Sequence, residues 1–214
     1  TINEQNDPPT GSDATLATDE DTPLTLSASD FGYDQPGGET DTLDGVRIDT
    51  LPSDGTLELN GSAVSATHVI PQADIDNNNL TYVPPTDANG TGLTSFDFSV
   101  RDDRGVFDTA VNTLTINVDP VNDPPSASAS QDFTINEDAG TQITSSFMES
   151  LDEGGASDED SQTISFAVDN ITDSGVFTAA ELFDGQPAFA DTNGTDNTLE
   201  FTPSDILAEG ESET

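Results

Sequence analysis

A strand-and-linker phrase occurs twice in this chain, and its recurrence restricts the fold more than any other feature. The complete copy is Thr115-Ile116-Asn117-Val118 followed by Asp119-Pro120-Val121-Asn122-Asp123-Pro124-Pro125; the shorter one is Thr1-Ile2-Asn3 followed by Asn6-Asp7-Pro8-Pro9. Copies spaced one small domain apart are the mark of tandem modules. The 214 residues then divide into the end of a preceding repeat with its linker (1–9), a first module (10–121), a linker (122–125) and a second module (126–214). The second module lacks its expected last strands and is incomplete at its C-terminus, so the chain reads as a piece of a longer protein.

Within each module the apolar residues alternate. Phe96-Asp97-Phe98-Ser99-Val100 and Leu114-Thr115-Ile116-Asn117-Val118 place every second side chain on one face, the period of a half-buried strand. Leu24-Thr25-Leu26-Ser27 and Asn79-Leu80-Thr81-Tyr82-Val83 add further strands. The Asp54-Gly55 and Asn60-Gly61 turns bracket another at Thr56 to Leu59. Residues 10–19 read as polar linker, and Asp30 to Asp44, with Asp34, Glu39, Asp41 and Asp44, as an acidic loop. The second module repeats the plan with Phe133-Thr134-Ile135, Gln162 to Val168 and Leu199-Glu200-Phe201-Thr202-Pro203, an acidic loop from Asp152 to Asp160, and a short helical turn at Phe177 to Phe183. The fold class expected is all-β, as tandem β-sandwich modules with thin cores, since hydrophobic residues make up only 31% of the chain.

Forty-three acidic residues against three basic ones give a formal net charge of -40. Such a charge opposes the compact state through self-repulsion unless cations neutralise it. Nucleic acid is excluded as a partner, because binding polyphosphate requires Lys and Arg to displace counterions. Anionic membranes are disfavoured on the same ground, and no apolar run is long enough to span a bilayer. An acidic surface suited to seawater or brine is the alternative origin of the charge. With no cysteine there is no disulfide framework, and calcium is the reinforcement the composition suggests.

Calcium takes six to eight oxygen ligands from carboxylates, carbonyls and Asn side chains. Asp119, Asn122 and Asp123 supply several from one linker that the prolines stiffen, lowering the entropy lost on binding. Glu20 or Asp21 on one side, with Asp158 and Asp160 on the other, are candidate further donors. Asp74-Ile75-Asp76 begins like an EF-hand loop but lacks its glycine and closing glutamate. His68, the only histidine, has no second nitrogen or thiolate to form a zinc site. The Asn-x-Ser/Thr triplets at Asn60, Asn89, Asn170 and Asn193 are those expected by chance in such a composition. Nucleophilic catalysis lacks a base, and the acids lie in loops with little aromatic surface to grip a sugar, so no enzymatic activity is expected.

The linker Asp119 to Pro125 resembles that of cadherins, in which an Asp, an Asn-Asp pair and a following Pro bind calcium between repeats. The resemblance implies that Glu20 matches the N-terminal glutamate ligand, and Asp158-Glu159-Asp160 the Asp-x-Asp pair of the following repeat. It also implies an upstream site, at Asn6, Asp7, Asp34 and Asp103, the last from Arg101-Asp102-Asp103-Arg104-Gly105. The cadherin Asp-Arg-Glu motif is absent and Pro124 follows the Asn-Asp pair, implying fewer ions than in animal cadherins. Leu51 to Leu57, Leu80 to Pro84 and Val121 to Pro125 are most similar to bacterial cadherin-like repeats of large secreted RTX-type adhesins. That similarity implies Ig-like, Greek-key modules outside the cell at a bacterial surface. There they act as calcium-rigidified extenders that project a distal ligand-binding domain, with neighbouring repeats of the same chain as partners. The alternatives are a calcium-dependent module that binds cell-surface glycans or proteins, with Phe31 and Tyr33 beside the acidic loop, and an accessory module of a secreted polysaccharide-degrading enzyme.

Overall fold

The computed structural model describes residues 6–129, 140–144, 148–152, 154, 187–189 and 199–202. The chain divides into two compact units, Thr1–Val121 and Asn122–Thr214.

The first unit contains strands β1 (Ala14–Asp19), β2 (Leu24–Thr25), β3 (Leu43–Ile48), β4 (Thr56–Leu59), β5 (Ser62–Ala63) and β6 (Val69–Pro71), then helix α1 (Gln72–Asp76) and strands β7 (Leu80–Val83), β8 (Gly90–Asp102) and β9 (Asn112–Asp119). They form a five-stranded sheet of order β1-β9-β8-β3-β6 and a four-stranded sheet of order β2-β7-β4-β5. One hydrophobic cluster joins the two: Val46, Ile48, Phe96, Phe98, Leu114 and Ile116 come from the larger sheet, Leu57, Leu80 and Tyr82 from the smaller. The alternation along β9 explains this burial directly, since Leu114, Ile116 and Val118 are buried while the residues between them are not.

Several local departures have physical causes. Residues 14–19 form an edge strand, where the polar composition suggests only linker. Ala14, Leu16 and Thr18 face inward as β1 pairs in parallel with β9 from Ala14↔Leu114 to Asp19↔Asp119. Strand β2 is shorter than its apolar pattern because Ser27 turns the chain. Its backbone N–H and its hydroxyl both donate to Asp30 Oδ2, at 2.7 and 2.8 Å, capping a 3-10 turn at Ala28–Phe31. That turn carries Phe31 into the core, edge-on to Phe98 at 5.0 Å, so the segment read as a solvated acidic loop anchors the fold. At Asp54-Gly55 the backbone of Gly55 has φ +76°, and an added Cβ would lie 2.5 Å from the Val83 carbonyl oxygen. Only glycine fits there.

In the second unit, β10 (Ser126–Ala129) pairs antiparallel with β12 (Met148–Asp152), while β11 (Gln142–Thr144), β14 (Leu199–Phe201) and β13 (Ala188–Phe189) form a three-stranded sheet in that order. Strand β14 lies where Leu199 to Pro203 was read as the counterpart of Leu80 to Pro84, and Phe201 is buried. The readings at Phe133 to Ile135, Gln162 to Val168 and Phe177 to Phe183 fall outside the described residues. The chain is therefore β-rich, with α1 the only α-helix among the described residues.

Candidate metal centre

Strand β8 begins at Gly90, opposite Val118 near the end of β9, and ends at Asp102 beside Leu43 at the start of β3. The sequence-selected acids of the first unit gather at these two ends.

At the Gly90 end, the turn after β1 places Glu20 with its side chain buried. A buried carboxylate is stable only where donors satisfy it. Val121 N–H donates to Glu20 Oε1 at 2.6 Å and Asn89 Nδ2 to Oε2 at 3.0 Å. The backbone N–H of Glu20 donates to the Asp119 carbonyl at 2.9 Å. Asp119 thus takes part through its main chain, while its side chain stays exposed. Asp21 follows with φ +54°, a left-handed conformation that Asp and Asn tolerate better than most residues. Its Oδ1 accepts from the backbone N–H of Asp87 at 3.3 Å.

Carboxylate oxygens of Asp21 and Asp87, both in the first unit, lie within 4.8 Å of each other. Asp123 sits on the segment leaving β9, where Asn122 Nδ2 donates to its carbonyl at 3.2 Å. Two unit charges at 4 Å repel by about 1 kcal/mol in water and about 4 kcal/mol near a protein surface, so bringing the two together is unfavourable without a cation. The donors fit calcium: all are oxygens, and ligands each held about 2.3–2.6 Å from one ion lie no more than about 5 Å apart. The chain's three basic residues pair elsewhere, Arg47 with Asp49, Arg101 with Asp44 and Arg104 with Asp41.

The other end gathers the upstream linker. Asn6 Nδ2 donates to Asp102 Oδ2 at 2.9 Å, and Asp102, fully buried, also accepts at Oδ1 from the N–H groups of Arg104 and Val106. The carboxylate beside Asn6 is therefore that of Asp102; Asp103 accepts instead from the Thr42 hydroxyl. Asp7 N–H donates to Glu39 Oε2 at 3.0 Å. Asp34 holds Thr10 through backbone bonds in both directions. The Asp41 side chain is 7% exposed and accepts from Arg104 Nε at 3.0 Å. Its second oxygen and Asn6 Oδ1 are buried and have no hydrogen-bond partner among the described residues. Burial pushes the Asp41 carboxyl up from its ordinary value; Arg104 opposes this, and Asp103, Glu39 and Asp102 reinforce it. Burial first, then the charges of Asp102, Asp103, Asp41 and Asp34, push the Tyr33 phenol up to about 12.

Of the residues that sequence reasoning selected, Glu20, Asp21 and Asp119 lie at one end of the first unit and Asn6, Asp7, Asp34 and Asp103 at the other, while Asn122 and Asp123 belong to the second unit. Asp158 and Asp160 are outside the described residues. Sequence reasoning missed Asp87, Asn89, Glu39, Asp41 and Asp102 as site residues. The loop Thr86-Asp87-Ala88-Asn89-Gly90 looks like an ordinary turn, and its one signal is an acid and an amide placed just after Pro84-Pro85. No protein-family model matches the chain, and no curated protein is similar enough to count as a match.

Proposed function

We propose that the chain is a pair of calcium-stiffened extender modules, Ig-like and cadherin-like Greek-key β-sandwiches, from a large bacterial cell-surface adhesin. The observation that carries this reading is the approach of the Asp21 and Asp87 carboxylates to within 4.8 Å of each other, Asp21 lying on the turn that also holds the buried Glu20. Calcium held there neutralises carboxylates that otherwise repel, and ties the turn that follows β1 to the one that follows β7. Because the ion binds the folded arrangement and not the unfolded chain, its binding free energy adds to stability. Repeated along a tandem array outside the cell, such ties convert a flexible string into a rod that projects a distal binding domain. The partners in this role are neighbouring repeats of the same chain, and no catalysis is involved.

The direct test titrates calcium into the metal-free chain and then chelates it, following maximum dimension by small-angle scattering and melting by tyrosine fluorescence. Calcium should lengthen and stabilise the chain, and chelation should reverse both; no change in either measurement sinks the reading. The glycan- or protein-binding alternative loses its main support in the first unit, because Phe31 is fully buried and the Tyr33 hydroxyl is hydrogen-bonded to Gln35 and the Asp41 carbonyl.

A further inference from the structure

The chain contains Asn60-Gly61, Asn89-Gly90 and Asn193-Gly194, the last outside the described residues. In such a dipeptide the deprotonated Gly nitrogen can attack the Asn side-chain carbonyl carbon. A C–N bond forms, ammonia leaves and a cyclic imide results. Water then opens either imide C–N bond, leaving aspartate or isoaspartate. Glycine favours the reaction because it has no Cβ to obstruct the approach.

The first two dipeptides meet opposite surroundings. Asn60 and Gly61 form the tip of the β4–β5 hairpin, between the paired residues Leu59 and Ser62. Both are exposed, with φ of +52° and +71°. Among the described residues nothing lies within 4 Å of the position a Cβ on Gly61 would take. Asn60 is held by its backbone N–H, which donates to the Asn79 carbonyl at 2.9 Å; among the described residues its carboxamide and the Gly61 N–H make no hydrogen bond. Strand β5 is two residues long at the edge of its sheet, so the tip opens without disturbing the core. Asn89, by contrast, is half-buried and donates Nδ2, the leaving nitrogen, to Glu20 Oε2 at 3.0 Å. Gly90 is held in β8 opposite Val118. Reaction at Asn89 must break the bond to Glu20, and its product sets a second carboxylate against that buried one.

We propose that Asn60 is a site of spontaneous deamidation and isoaspartate formation, and that Glu20 protects the identical dipeptide at Asn89. This inference is independent of calcium binding. The test is to incubate the full chain at mildly alkaline pH and map it by peptide mass spectrometry, with isoaspartate detected enzymatically. Conversion at Asn60 should run about tenfold faster than at Asn89 or more, a barrier difference of about 1.4 kcal/mol. In concentrated urea the two rates should converge. Equal rates in the folded chain overturn the proposal, and so does an Asn89 that stays slow in urea, since its protection is then not structural.

Discussion

Replacing Glu20 with alanine removes the acceptor that joins three separate segments of the first unit. Val121 N–H and Asn89 Nδ2 lose their partner at 2.6 and 3.0 Å. A donor left buried costs about 1–3 kcal/mol; Val121 is 42% exposed and can be rehydrated, so its share falls at the low end. Asn89 is half-buried and loses a bond to a charged group. Removing one negative charge from an acidic end works in the opposite direction, but the neighbouring Asp21 and Asp119 are exposed, and water around them brings the repulsion down toward about 1 kcal/mol at 4 Å. The bonds win, and a net loss of about 2–4 kcal/mol follows. At about 3–5 °C per kcal/mol for a unit of this size, the melting temperature in calcium-free buffer falls by about 6–20 °C. The assay can be specific to this unit. Both tyrosines, Tyr33 and Tyr82, lie within it and the chain has no tryptophan, so tyrosine fluorescence reports its unfolding without contribution from the second unit. A melting temperature unchanged within the roughly 0.5 kcal/mol typical of neutral surface substitutions refutes the reasoning.

Asp21→Asn and Asp87→Asn keep the backbone preferences, including the positive φ at both positions, while removing a charge. Each should leave calcium-free stability unchanged or slightly raised and reduce the melting increment gained from a fixed calcium concentration; an increment equal to wild type argues against this site. Gly55→Ala forces a Cβ within 2.5 Å of the Val83 carbonyl at φ +76°, and should lower stability by more than the roughly 1 kcal/mol of an ordinary backbone substitution, measured by urea unfolding. Burial raises the phenols of Tyr33, to about 12, and Tyr82 above their ordinary value of 10.0. Between pH 10 and about 12 the unfolded chain has lost a proton that folded Tyr33 retains, so stability is full below this window and falls as pH rises through it. Phenolate absorbance in the folded chain should therefore appear late, and titration of Tyr33 at its ordinary value contradicts the packing described.

Much of the sheet structure is legible from period-two alternation. Leu114, Ile116 and Val118 announce β9, and Phe96, Phe98 and Val100 the centre of β8, because a pleated backbone sends successive side chains to opposite faces. The recurring linker is legible for a related reason: paired prolines after an Asn-Asp doublet lack the N–H that a ladder needs and cannot sit in a helix interior. Alternation says nothing about edge strands made of small polar residues, which is why β1 reads as linker. A partner strand with an open edge turns it into structure. Nor does an acidic loop disclose that one of its residues, Phe31, is part of the core.

The calcium reading divides in the same way. Composition alone establishes an excess of oxygen ligands with three basic residues to offset them, and local spacing singles out Asp119, Asn122 and Asp123. The tertiary structure decides which acids meet. Asp87 lies 66 residues from the Asp21 carboxylate that its backbone N–H contacts, and Val121 lies 101 residues from Glu20. Those meetings depend on the parallel register of β1 with β9 and on the loop that leads from β7 to β8. A metal ion recognises oxygens by distance in space, and sequence spacing encodes that distance only within a single turn or linker; across a sheet, strand pairing sets it.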